Sequence, residues 1–82
     1  MVFEVGKCYR HRGTGKKLKV LCEANTYYFG HCLIGETDDA SFLPLGMTEE
    51  YTMNWEECYD WVQERLNQIP NDLKTREPDT LG

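Results

Sequence analysis

From Gly6 to Gly46 the chain alternates short β-rich runs with turn residues, and from Asn54 its apolar residues recur at spacings of three and four. A strand repeats every two residues and a helix every 3.6, so this change of period is what most restricts the fold. It predicts a mainly β protein with one helix: a small barrel of about five strands followed by a C-terminal amphipathic helix. A barrel of this size is filled by its own side chains, which moves any function to its outer face.

The elements follow in order. Gly6 to His11 reads as a strand, and Gly13 and Gly15 supply the turn of a tight first hairpin. In the next strand Leu18, Val20, Cys22 and Ala24 alternate with Lys17, Lys19 and Glu23. Asn25 and Thr26 are expected to turn the chain into a third strand, Tyr27 to Ile34, which is apolar on both parities, with Gly30 marking a bulge or corner. Glu36 to Ala40 is polar turn chemistry, and Ser41 to Leu45 is a short strand that Pro44 assigns to an edge. Thr48 to Met53 fits either a last strand closing the barrel or a turn of helix.

Asn54 is a good helix N-cap with Glu57 at the capping-box position, which predicts a helix from Asn54 to about Gln68. Trp55, Cys58, Tyr59, Val62, Leu66 and Ile69 would form its apolar stripe, with Glu56, Asp60 and Glu64 outside it and Pro70 ending it. The 82 residues make one domain over residues 1–69, and residues 70–82, which lack any period, read as a mobile tail. No signal segment or membrane-length apolar run is present, so the chain is expected to be cytosolic, with no membrane partner.

The net charge of −5 conceals a split. Lys7, Arg10, Arg12, Lys16, Lys17 and Lys19 face only Glu4 within the first 21 residues, and the rest of the chain is strongly acidic. A dipolar chain can steer a partner with either end. The four cysteines, Cys8, Cys22, Cys32 and Cys58, read as small buried hydrophobes in a reducing compartment. Cys22 and Cys32 share a face in one strand register only, so neither a disulfide nor a redox role is assigned. Cys8 with His11, and His31 with Cys32, have the wrong spacing for a zinc site on strands, so no metal and no cofactor are expected. No catalytic triad signature occurs, and Gly13-Thr14-Gly15-Lys16 lacks P-loop spacing. The expectation is a protein without catalytic residues.

Two surface sets remain. Glu56, Asp60, Trp61 and Glu64 would form an acidic helix face with a half-exposed Trp as a protein-binding anchor. The alternative set is Tyr9, Arg10, Arg12, Lys16, Tyr27 and Tyr28, a basic aromatic surface able to stack a nucleotide or oligonucleotide. An exposed Trp61 and an edge at Pro44 serve a monomer with a foreign partner or a homodimer equally.

The run Gly6-Lys7-Cys8-Tyr9-Arg10-His11-Arg12-Gly13-Thr14-Gly15-Lys16, then Leu18-Lys19-Val20 and Phe42-Leu43-Pro44-Leu45-Gly46, resembles small phage and prophage proteins with an SH3-like barrel. The likeness covers about Val5 to Trp55. It implies a phage accessory protein in the host cytoplasm that binds and modulates or inhibits a host defence protein, and it transfers no site residue. The acidic loop and aromatic set of signalling SH3 domains are missing, so binding of Pro-rich ligands is not implied.

Overall fold

The structure, a computed structural model, describes residues 1–68. Ile69 and the expected tail, residues 70–82, lie outside the described residues. Five strands, β1 (Cys8–His11), β2 (Lys17–Thr26), β3 (Gly30–Thr37), β4 (Phe42–Leu45) and β5 (Trp55–Cys58), are followed by one helix, α1 (Trp61–Asn67). They form one antiparallel sheet in the order β4-β3-β2-β1-β5. The mainly β reading with one helix therefore holds. The barrel is not closed: β4 and β5 are the two edges, and the segment between them, instead of supplying a closing strand, is a run of turns with local backbone bonds such as Thr52 N–H to Glu49 O and Trp55 N–H to Thr52 O.

Pro44 does sit on an edge strand, as its missing N–H requires. On one face of the sheet Phe3, Tyr9, Leu18, Val20, Leu33 and Leu45 form the core, with Leu43 and Trp55 packed against it. The Tyr9 hydroxyl accepts the Glu4 N–H at 2.9 Å, which ties the N-terminal segment over that core.

The alternation expected along β2 fails at one residue. Val20 pairs with Gly35 but Cys22 pairs with Ile34, so Leu21 is a bulge. Leu18 and Val20 are buried as expected, while beyond the bulge the parity reverses and Cys22 is exposed. Gly30 does not bulge; it takes φ +67° at the start of β3, closing a hairpin whose turn is Tyr27-Tyr28-Phe29. The Thr26 hydroxyl fastens that turn by accepting the Phe29 N–H at 2.9 Å and donating to the Gly30 carbonyl at 3.1 Å. The expected strand over Tyr27 to Phe29 is thus replaced by a loop tip.

The largest correction is the helix. Residues 55–58, placed in its first turn by the Asn54 N-cap, instead form β5, with Trp55 opposite His11, Glu56 opposite Arg10, Glu57 opposite Tyr9 and Cys58 opposite Cys8. Long-range pairing decides this: Trp55 packs edge-on against Phe3 and His11 at 5.8 and 5.0 Å, and Glu56 meets Arg10 across the strands. The N-cap is Asp60, whose carboxylate accepts the Gln63 N–H at 2.9 Å.

Candidate functional site

The acidic helix face does not assemble. Glu56 lies on β5, where the Arg10 guanidinium bonds it and Arg12 Nε stands 3.7 Å away. Asp60 is engaged as the N-cap, by Lys19 at 3.2 Å and by the Cys8 thiol at 3.5 Å. Trp61 is 4% exposed, because the later helix start turns it toward the sheet, where its indole N–H donates to the Leu18 carbonyl at 3.1 Å and Arg65 covers its ring. Of that set only Glu64 stands exposed on α1.

The basic aromatic set is dispersed as well. Tyr9 is in the core. Arg10 and Arg12 are held by Glu56, and Lys16 by Asp39 at 3.4 Å. Lys16 precedes β2 and Tyr27 follows it, so the two ends of the set are separated by the ten residues of that strand, roughly 30 Å at its usual rise. One nucleotide cannot touch both ends. The charge split of the sequence is largely cancelled in space: Lys7 meets Glu4 and Glu57, and Lys19 meets Asp60.

These pairs shift the carboxylates. Arg10 holds the Glu56 carboxyl below its ordinary value, the Thr37 hydroxyl and then Lys16 do so for Asp39, and the Gln63 N–H does so for Asp60. Burial, reinforced by the Asp60 charge, pushes the Cys8 thiol up to about 11, and burial raises Cys58 too. These surroundings activate neither thiol, so each reacts only through a small thiolate fraction and slowly. No group of three or more His, Cys, Asp or Glu side chains that could hold a metal ion occurs among the described residues.

What the fold does bring together is apolar. At the β2–β3 tip Tyr27, Tyr28 and Phe29 are 92, 86 and 65% exposed, and the two tyrosine rings meet edge to face at 4.9 Å. Beside the tip lies an open groove of about 450 Å³ lined by Phe29, His31, Pro44, Met47 and Tyr51 among others. His31 is held at its rim by Asn25 at 2.9 Å and Glu23 at 2.8 Å. Among the described residues no Lys or Arg lines this groove. Glu49 and Glu50, exposed just before Tyr51, make no ion pair among the described residues.

Phe29, His31, Pro44, Met47 and Tyr51 were not singled out together by the sequence, since they come from a hairpin tip, the start of β3, the edge strand β4 and the turns that follow it. The one available signal was Tyr-Tyr-Phe between a hydroxyl residue and a glycine, a turn frame around residues with strand preference. No helix among the described residues is long and apolar enough to cross a membrane. No family model, curated protein or solved structure matches the chain.

Proposed function

We propose that this chain is a non-enzymatic protein-interaction module whose partner is taken at the Tyr27-Tyr28-Phe29 tip and the groove beside it. The observation that carries the reading is the near-complete exposure of two adjacent tyrosines next to an apolar groove. Large apolar side chains left in water beside a concave surface are the usual anchors of a protein partner, and tyrosine supplies contact area at low entropic cost. Glu49 and Glu50, without an ion pair among the described residues, and a described groove lining free of Lys and Arg favour a partner whose contact surface is apolar with a basic margin.

The strand order, with β2 long, bulged and central, supports an SH3-like arrangement as the finer description of the fold. A phage accessory role toward a host protein rests on the sequence resemblance.

The test is capture from nuclease-treated bacterial lysate with quantitative mass spectrometry, comparing the unaltered chain with Tyr27→Ser/Tyr28→Ser and with Glu64→Lys. The expected result is one protein lost by about tenfold or more with the tip variant and retained with Glu64→Lys. Equal recovery with the tip variant would remove the binding surface from the tip, and loss with Glu64→Lys alone would return it to the helix.

A further inference from the structure

We propose that Cys8 and Cys58 form a reversible cross-strand disulfide that fastens the edge strand β5 to β1.

The register supports it. Cys8 stands directly opposite Cys58 in the antiparallel β1–β5 pair, so both side chains leave the same face of the sheet. The Arg12 N–H donates to the Asn54 carbonyl at 2.8 Å, and the two-residue alternation that follows makes Arg10/Glu56 and Cys8/Cys58 hydrogen-bonded pairs. Such pairs have Cα atoms about 5.5 Å apart, within the range that a disulfide spans, but their side chains are the wider-set of the two pair types, so β5 must close on β1 by about 1 Å and the bond is strained and readily reduced. The other two cysteines fail this test. Cys22 is opposite Ile34 and Cys32 is opposite Ala24, which makes Cys22 and Cys32 diagonal neighbours, about 7–8 Å apart and beyond disulfide reach.

Each thiol is engaged on its own in the reduced protein, Cys8 with Asp60 and Cys58 with the Tyr59 carbonyl at 3.4 Å. The bond requires a side-chain rotation at each position that takes the sulfurs off these partners. Asp60 keeps the Gln63 N–H and Lys19 when Cys8 leaves it, so the helix cap survives the bond.

The oxidant is a low-molecular-weight disulfide such as glutathione disulfide. Cys58, the more accessible of the two, loses its proton and attacks one glutathione sulfur, forming a protein–glutathione mixed disulfide and releasing one glutathione thiolate. Cys8 then gives up its proton and its thiolate displaces the second glutathione. Two protein thiols are oxidised, one glutathione disulfide is reduced to two thiols, and the two protons end on those thiols. The bond encloses β2, β3 and β4 in one loop, and β5 otherwise holds to the sheet through β1 alone. Closing so long a loop restricts the unfolded chain strongly.

The experiment treats the full chain with glutathione disulfide, blocks the remaining thiols under denaturing conditions, and maps peptides by mass spectrometry alongside thermal unfolding. The expected product is a Cys8–Cys58 linked peptide pair with about 2 Da lost and no glutathione retained on either residue. The unfolding midpoint should rise by roughly 10 °C, return on reduction, and stay unraised in Cys58→Ser while still rising in Cys22→Ser. Recovery of both Cys8 and Cys58 as blocked thiols while Cys22 carries glutathione would overturn the proposal. So would glutathione persisting on Cys58, or a Cys22–Cys32 link; each is read on the unaltered chain and needs no variant to fold.

Discussion

Two ends of this small sheet treat their side chains in opposite ways. Around β1, β5 and the start of α1, nearly every conspicuous residue has an internal partner: Arg10 with Glu56, Lys19 with Asp60, Trp61 with the Leu18 carbonyl and Arg65. At the β2–β3 tip and its groove, Tyr27, Tyr28 and Phe29 stand largely exposed, the two tyrosines edge to face, and the nearby Glu49 and Glu50 have no described counter-ion. Residue type alone does not distinguish the regions, since each has aromatic rings and charges. The distinction is whether the fold already uses them, and unused aromatic surface is where a partner has something to gain.

The largest effect should separate Trp61 from Tyr28. Trp61→Ala removes a buried indole and its hydrogen bond to Leu18, and should cost about 3–5 kcal/mol in urea unfolding, a large share of the stability of a chain this short. Tyr28→Ala should stay within about 0.5 kcal/mol while weakening partner capture. If the two variants lost similar stability, the tip would be part of the folding core and the contrast between the regions would collapse.

A smaller effect is expected from two glycines, one on each side of the comparison. A Cβ on Gly35 would stand 2.7 Å from Leu45 Cδ1, in the core, and one on Gly46 would stand 2.5 Å from Tyr51 Cδ2, in the groove wall. Gly35→Ala should therefore destabilise by about 1–3 kcal/mol through overpacking. Gly46→Ala also meets Tyr51 Cγ and Cβ at 2.6 and 3.0 Å, so the ring and the turn that carries it must both shift, which should reshape the groove and reduce partner capture as well as lower the unfolding midpoint. Chemical denaturation and capture measured on the same preparations distinguish these outcomes.

How far the sequence revealed this plan depended on whether local or distant residues decide each element. The first hairpin, the Leu18 and Val20 core positions and the Pro44 edge were legible, because turn glycines, period-two alternation and a missing N–H act within a few residues. The β5–α1 boundary was not. Asn54 with Glu57 and Asp60 with Gln63 both have capping spacing, and the choice between them is made by β1, more than forty residues away. The bulge at Leu21 carries no glycine or proline to announce it. The aromatic tip was hidden for a different reason: Tyr27, Tyr28 and Phe29 prefer strands, and only the Thr26 hydroxyl and the positive φ of Gly30 make them a turn. Neither expected binding set forms one continuous surface, because sequence charge reports which ions are present and not which ions the sheet will place together.

The smallest expected effect tests that last point through pH. Glu56, Asp39 and Asp60 have carboxyls held below their ordinary values of 4.5, 3.8 and 3.8 by Arg10, by Thr37 with Lys16, and by the Gln63 N–H with Lys19. A carboxyl whose folded value is depressed binds its proton more readily in the unfolded chain, so its contribution is complete above its ordinary value and is lost as pH falls through the depressed one. The unfolding midpoint should thus be flat near neutrality and fall once the pH drops below about 4.5. These groups are exposed and screened by solvent, so each contributes modestly, and added salt should shrink the acid-side slope. Glu56→Gln should remove part of that slope, whereas Tyr27→Ser/Tyr28→Ser should reproduce the original profile, because Tyr27-Tyr28-Phe29 carries no carboxylate. An equal change of slope in both variants would mean that the two regions are electrostatically coupled, and the paired charges of β1 and β5 would then have to be counted as part of the binding surface.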